Sequence, residues 1–399
     1  MSRLRVLLFV LCLGPAASRA AENPYAELGL VYAQNVDTGE LGFNLQNWCG
    51  VQDSLGFVYV GNTSGLLQYD GVRWRLVEDL GPNIVRALHL DRRGRICVGS
   101  RVDFGVLEPD SLGVPRLRSL RPLLPAGARE VEEIYSIAET DAGVYFQGRG
   151  GVSLWTGGAD SLRVWRDGGE FKGLWEAGGG VYTRIEGRGL AELGDDGRFH
   201  LIPGGNAYAD RHVTVVHAAP GGGLLVASYD DGLLRYERGA FAPFAPALHE
   251  RLREAQVYEI ITLSDGNLAL GTLRQGVMLL SPAGELLTVQ DESVGLIHNM
   301  VLGLFTDRQD GLWVGTDSGI SRLELPGRLS SFDQRLGLEG SVEALALHDG
   351  RLYAATSWGF FASTRRNMSS AWSHMASVPT RFSGRVASFT ITSSKPKSR

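Results

Sequence analysis

Gly295-Leu-Ile-His-Asn-Met-Val-Leu-Gly-Leu-Phe-Thr-Asp-Arg-Gln-Asp-Gly311-Leu-Trp-Val-Gly-Thr-Asp-Ser-Gly319-Ile-Ser-Arg-Leu323 is the stretch on which the reading turns. Val301 to Phe305 is an apolar run without helical spacing, Asp310-Gly311 is a hairpin turn signal, and Leu312 to Thr316 is rich in aromatic and β-favouring residues. Asp317-Ser318-Gly319 turns the chain again. The stretch therefore reads as three short antiparallel strands. Taken alone it is a β-meander, but the same pattern recurs along the chain.

Its third strand opens on a glycine, and equivalent glycines stand at Gly65, Gly105, Gly151, Gly189, Gly232, Gly276, Gly319 and Gly359. A spacing of about 40–50 residues that holds several strands marks a β-propeller blade. No segment between repeats carries a long amphipathic helical pattern, which argues against a parallel α/β fold. The fold class is all-β, a propeller of about seven four-stranded blades with a partial extra blade at the C-terminal end. A fourth, outer strand is expected in the variable segment that follows each repeat, around Arg328 to Asp333 after the seventh. Spacing alone leaves seven and eight blades both open.

Composition agrees with many short strands. Glycine supplies 53 of 399 residues, nearly twice the usual share of about 7%. Charged residues make up 21% and the net charge is -5, so there is no basic excess for a nucleic-acid partner.

Residues 1–20 read as a secretory signal: Arg3 and Arg5, an apolar run over Val6 to Leu13, then Ser18-Arg19-Ala20 before the cut. The apolar run is far shorter than the roughly 20 residues of a membrane span, and no later segment reads as one. The expected location is periplasmic or extracellular. Residues 21–47 form a lead-in, 48–325 the propeller, 326–363 a further partial blade with three strands, and 364–399 a Ser- and Arg-rich tail expected to be disordered. The chain reads as cut short within a longer array, the alternative being a native end whose strands close the first blade. Cys49 and Cys97 follow the signal; export would permit a disulfide, and a buried free thiol is the simpler reading for Cys97.

The seventh repeat, with Asn299, Asp307, Asp310-Gly-Leu-Trp-Val-Gly-Thr316 and Gly319-Ile320, resembles the repeat of the two-component regulator propeller family. The opening of the array, Gln46-Asn47-Trp48 through Asp70-Gly71 and Trp74, is similar to the start of sensor proteins of that family. The resemblance runs from Gln46 to about Phe361 and is weakest in the fourth repeat. It implies the exported sensing half of a bacterial signalling protein. Such propellers are commonly followed by a small β-sandwich, a membrane span and a cytoplasmic output, and none of these is legible here. The resemblance thus implies a sensor without its own output domain, partnered by a signalling membrane protein or a second copy of itself.

No catalytic constellation stands out. His212 and His217 lie five apart on an extended segment, so alternation sends them to opposite faces rather than to one metal. Asp307-Arg-Gln-Asp310-Gly311 lacks the EF-hand spacing and reads as a turn whose aspartate bonds the local backbone. The triple glycines at 178–180 and 221–223 precede strands, not helices, and so make no phosphate cradle. No cofactor and no metal is expected. Binding residues are sought instead in the loops between second and third strands, which vary while the strands repeat. Arg101, Asp103, Arg149, Arg184, Glu186, Tyr229, Asp230, Arg274 and Gln275 are expected to ring the mouth of a central channel. Mixed charges, amides and an aromatic suit a polar ligand such as a glycan or a peptide. The alternative function is an exported propeller enzyme, a lyase or hydrolase acting on polysaccharide.

Overall fold

The computed structural model describes residues 30–125, 133–158, 162–166, 169–325, 330–331, 334, 337–348, 351–363 and 372–375. The expected signal segment and nearly all of the expected tail lie outside them.

Seven four-stranded antiparallel sheets form a closed ring. Their inner strands are Asn47–Gln52, Val85–Leu90, Ile134–Thr140, Phe171–Ala177, Val213–Ala218, Val257–Thr262 and Val301–Thr306, numbered here as blades 1 to 7. Each inner strand packs against the next, and the seventh packs against the first. The core is divided accordingly into apolar clusters between neighbouring blades. One example joins Val215, Leu225 and Leu233 of blade 5 to Val257, Ile260 and Leu270 of blade 6. The cluster between blades 7 and 1 holds Trp313 and Ile320 against Val58, Val60 and Leu67.

Small residues in the second strands let the blades approach this closely. A Cβ on Gly99 would stand 2.5 Å from Cγ2 of Ile134 in the next blade, and one on Gly315 would stand 2.6 Å from the carbonyl oxygen of Asn47 across the closing interface. The turn between first and second strands is held the same way in several blades. Asp307 Oδ1 accepts from the backbone N–H groups of Gln309 and Gly311, and Asp53 and Asp91 do the same in blades 1 and 2.

Closure differs from the sequence expectation. The outer strand of blade 7 is Ala33–Val36, from the lead-in segment, which pairs antiparallel with Gly319–Glu324 from Ala33↔Leu323 to Val36↔Ile320. The segment after blade 7 contributes Ser330–Ser331, which pairs with Leu30–Val31 instead. Sharing one blade between the two ends of the ring turns closure into ordinary strand pairing, so the ring does not depend on end-to-end packing alone. The eighth repeat lies beyond the ring as a separate sheet. It has four strands rather than three, because Trp372–His374 pairs with Phe361–Ser363. Its own small core is Leu338, Ala354, Phe361 and Trp372. Cys49 and Cys97 are free thiols, Cys97 buried among Phe104, Ile134 and Trp155.

Candidate binding site at the channel mouth

The inner strands enclose a cavity of about 610 Å³ along the ring axis. Every blade contributes to its wall. In six blades the pairing of the first two strands skips the second residue of the inner strand, leaving Trp48, Arg86, Tyr135, Thr214, Tyr258 and Leu302 unpaired. In blade 4 the skip falls at Gly173, beside Lys172. A bulge of this kind re-aims one side chain out of the alternating pattern. All eight of these residues line the cavity. They make a ring of aromatic, cationic and hydroxyl groups at the end where each inner strand begins.

Polar contacts hold the ring. The Arg86 guanidinium lies 4.1 Å from the centroid of the Trp48 ring and forms an ion pair with Glu133. Trp48 Nε1 donates to Thr63 Oγ1 at 2.9 Å. The Tyr135 hydroxyl donates to Glu133 at 3.0 Å and accepts from Arg149 Nη2 at 3.2 Å. Lys172 pairs with Glu170 and approaches Glu186 at 3.7 Å. His212 stacks on Tyr229 with ring centroids 4.9 Å apart. Burial, with help from the Arg184 and Lys172 charges, holds the His212 imidazole below its usual range, which favours the neutral ring. Burial also pushes the Tyr258 phenol up to about 12.

One residue further in, the wall is Cys49, Ala87, Ser136, Leu174, Val215, Glu259 and Gly303. Glu259 is the only charged residue among them. The opposite end of the cavity carries His89 paired with Glu139 at 3.0 Å, together with Glu176 and His217, whose Nε2 lies 2.9 Å from Thr262 Oγ1. Thus His212 and His217 serve opposite ends of the channel. Among the described residues no group of three or more His, Cys, Asp or Glu could hold a metal ion.

The residues expected from the loops stand mostly outside this ring. The loops do return to the same end of the blades: the N–H groups of Thr63, Arg101, Tyr229 and Leu273 donate to the carbonyls of Gln46, Ile84, His212 and Gln256, just before the inner strands. Neighbouring strands are separated by about 4.8 Å, however, so a loop that leaves the second strand is set back from the channel wall. Of the nine residues, Arg149 lines the cavity. Tyr229 reaches it through His212, and Glu186 through Lys172. Arg101, Asp230 and Arg274 are exposed on the rim. Asp103 accepts from Ser119 Oγ at 2.7 Å and Gln275 from Arg251 Nε at 3.1 Å, both within local structure. Arg184 is a clear departure. It lies in the second strand of blade 4, only 4% exposed, with its guanidinium donating to the carbonyls of Tyr208 and Ala209 at 2.9 and 2.7 Å. Its charge is spent on satisfying a turn. The ring residues carry a signal in the sequence: the second position of the inner strand varies from Trp to Arg to Tyr to Thr to Leu while most of its neighbours stay apolar.

Residues 295–318 match the model of the family described as two component regulator propeller. Among solved structures, the chain is similar to the extracellular domains of two B. thetaiotaomicron proteins named as hybrid two component systems. Each is 16% identical, with TM-scores of 0.58 and 0.59. The matches cover 84% and 83% of this chain and 45% and 48% of those domains, so the chain spans about half their length. Virginiamycin B lyase from Staphylococcus aureus is also similar, at 10% identity and TM-score 0.52 over 73% of this chain and 98% of the lyase. At these identities the structural likeness speaks to the propeller fold. No curated protein matches the sequence. The ring of blades is a β-propeller, and the stretch from Gly295 carries the two component regulator propeller repeat.

Proposed function

We propose that this chain is the extracytoplasmic ligand-sensing propeller of a bacterial signal-transduction protein, and that it binds a polar ligand, a glycan in the first instance, at the mouth of its central channel. The observation that carries the reading is the ring of bulged residues. Trp48, Tyr135 and Tyr258 offer flat apolar faces with polar edges; Arg86 and Lys172 stand between them with carboxylate partners, and Arg149 donates to the Tyr135 hydroxyl. Sugars present the same mixture, apolar ring faces edged by hydroxyls. A cavity of about 610 Å³ falls within the range of about 300–1,000 Å³ typical of ligand pockets. The likeness to extracellular domains of two-component proteins supports a sensing role.

The test is a thermal-shift screen of oligosaccharides and peptides, followed by calorimetry on Trp48→Ala and Tyr258→Ala. Each substitution should weaken a ligand that binds by about tenfold or more, and the ligand should be recovered unchanged, without new reducing ends. A ligand that binds equally well to both variants would place recognition elsewhere.

A further inference from the structure

Glu259 has surroundings that the mouth ring does not explain. It stands one position inside Tyr258, about 3–4 Å deeper along the strand, and faces the cavity. The same level holds Cys49, Ala87, Ser136, Leu174, Val215 and Gly303 from the other blades, none of them charged at neutral pH. Among the described residues no Lys, Arg or His forms an ion pair or a side-chain hydrogen bond with its carboxylate. Blade 7 presents only Gly303 at this level, and a Cβ there would stand 2.4 Å from the Trp48 carbonyl oxygen, so the fold excludes a side chain between Glu259 and blade 1. The charge is felt across that gap: burial pushes the Cys49 thiol up to about 12, and the Glu259 carboxylate adds to the rise. Of the other acids that line the channel, Glu176 accepts from the backbone N–H of Gly179 near the far end, and those of the rest of the channel and its mouth are cation-paired. Glu139 has His89, and Glu133 has Arg86 and the Tyr135 hydroxyl.

A carboxylate withdrawn from bulk water without a counter-ion is costly, and a ligand that brings the missing cation recovers that cost. We infer that Glu259 is the recognition point for an ammonium group on the channel ligand, and that the ligand class is an amino-sugar oligosaccharide whose ring stacks at Trp48 and Tyr258 while its amino group reaches inward. This inference rests on the mouth being the binding site. The three aromatics of the ring favour a glycan over a peptide, because each offers a sugar ring a flat face.

The test uses the full chain and two probes of equal length, a tetramer of glucosamine and a tetramer of N-acetylglucosamine, with calorimetry at low ionic strength. The glucosamine tetramer should bind the wild-type protein about tenfold more tightly than its acetylated counterpart. Glu259→Gln, which keeps the shape and removes the charge, should bring the two affinities within about twofold. The wild-type comparison needs no variant, so it stands even if the substitution disturbs folding. Equal affinity for the two tetramers, binding of neither, unchanged discrimination in Glu259→Gln, or binding only of a trilysine peptide would each overturn the inference. Trp48→Ala separates this from the broader reading. If it abolishes binding of both tetramers while Glu259→Gln changes nothing, the mouth stands and the ammonium recognition falls. If neither tetramer responds to Trp48→Ala, the mouth reading falls.

Discussion

Arg86 of blade 2 lies over the indole of Trp48 in blade 1, its guanidinium carbon 4.1 Å from the ring centroid. The contact spans two blades and leaves Arg86 also paired to Glu133, which precedes the inner strand of blade 3. One arginine thus fixes the side chains that three blades bring to the mouth. Trp48→Ala should remove the stacking face and loosen Arg86 together, weakening ligand binding more than Arg86→Ala does. Arg274→Ala, on the exposed rim, should leave affinity within about twofold. Calorimetric titration of the three variants against one screened oligosaccharide checks the order.

Ring closure rests on the pairing of Val36 with Ile320 and its neighbours. Asn35 reinforces it, donating from Nδ2 to the Gly295 carbonyl at 2.9 Å and accepting from Ser321 Oγ at 2.7 Å. Deleting residues 1–37 should therefore open the ring and expose the edge of Gly319–Glu324, giving a broadened unfolding transition and a tendency to associate. Deleting residues 338–399 removes only the sheet outside the ring and should leave the main transition within a few degrees. Differential scanning calorimetry of both truncations distinguishes closure by the N-terminal strand from closure by the eighth repeat.

Gly99 lies where blade 3 presses on blade 2. A methyl group there would meet Ile134 Cγ2 at 2.5 Å, and Ile134 is itself buried in a close-packed cluster. Gly99→Ala should cost about 1–3 kcal/mol through overpacking, read as a lowered urea midpoint with little change in slope. Ile134→Ala removes the Cγ2 methyl that is struck, so the two substitutions together should cost less than the sum of their separate losses.

Glu259 also predicts a pH dependence. Burial raises its carboxyl from 4.5 to about 7, so the folded state holds a proton more tightly than the unfolded chain. Its contribution is fully favourable below the unfolded value and is lost as pH rises through about 7. Glu259→Gln should therefore stabilise the protein at pH 8, by up to about 3 kcal/mol before allowance for water in the channel, and should make little difference at pH 4. Melting temperatures of wild type and variant across that range give the answer. Cys49 and Tyr258, whose ionisation the Glu259 charge opposes, are pushed up to about 12, above this range.

Asp307 works in the opposite sense. Burial opposes its ionisation, but hydrogen bonds from Arg322 at 2.6 Å, Trp313 Nε1 at 2.9 Å and the Gly311 N–H at 2.8 Å outweigh it and hold the carboxyl below its usual value. That stability is present above the unfolded pKa and is lost as pH falls through the folded one. Asp307→Ala leaves Arg322 and the Trp313 N–H without their acceptor, and a loss of about 3–5 kcal/mol is expected in urea unfolding at pH 7.

Much of this architecture is decided locally and was therefore legible from the sequence. Asp307, Asp310-Gly311, Trp313 and Gly319 specify turns and strand faces through contacts with residues a few positions away, so the stretch from Gly295 to Leu323 announced a blade wherever a copy of it stood. The repeat of such stretches implied a propeller. Three things depended on residues far apart in the chain. The N-terminal strand completes blade 7 because Ala33–Val36 meets an open edge nearly 300 residues later, and its own sequence is too short and too plain to declare that partner. Arg184 is buried on the Tyr208 and Ala209 carbonyls because the connection from blade 4 to blade 5, with its 3-10 turn Gly205–Tyr208, folds back over it. The channel mouth is lined mainly by the second residue of six inner strands and by Lys172 in blade 4, not by the loops, because a one-residue bulge repeated around a closed ring turns those side chains toward a common axis. Local preferences set which strands form; only closure of the ring determines which side chains face one another across it.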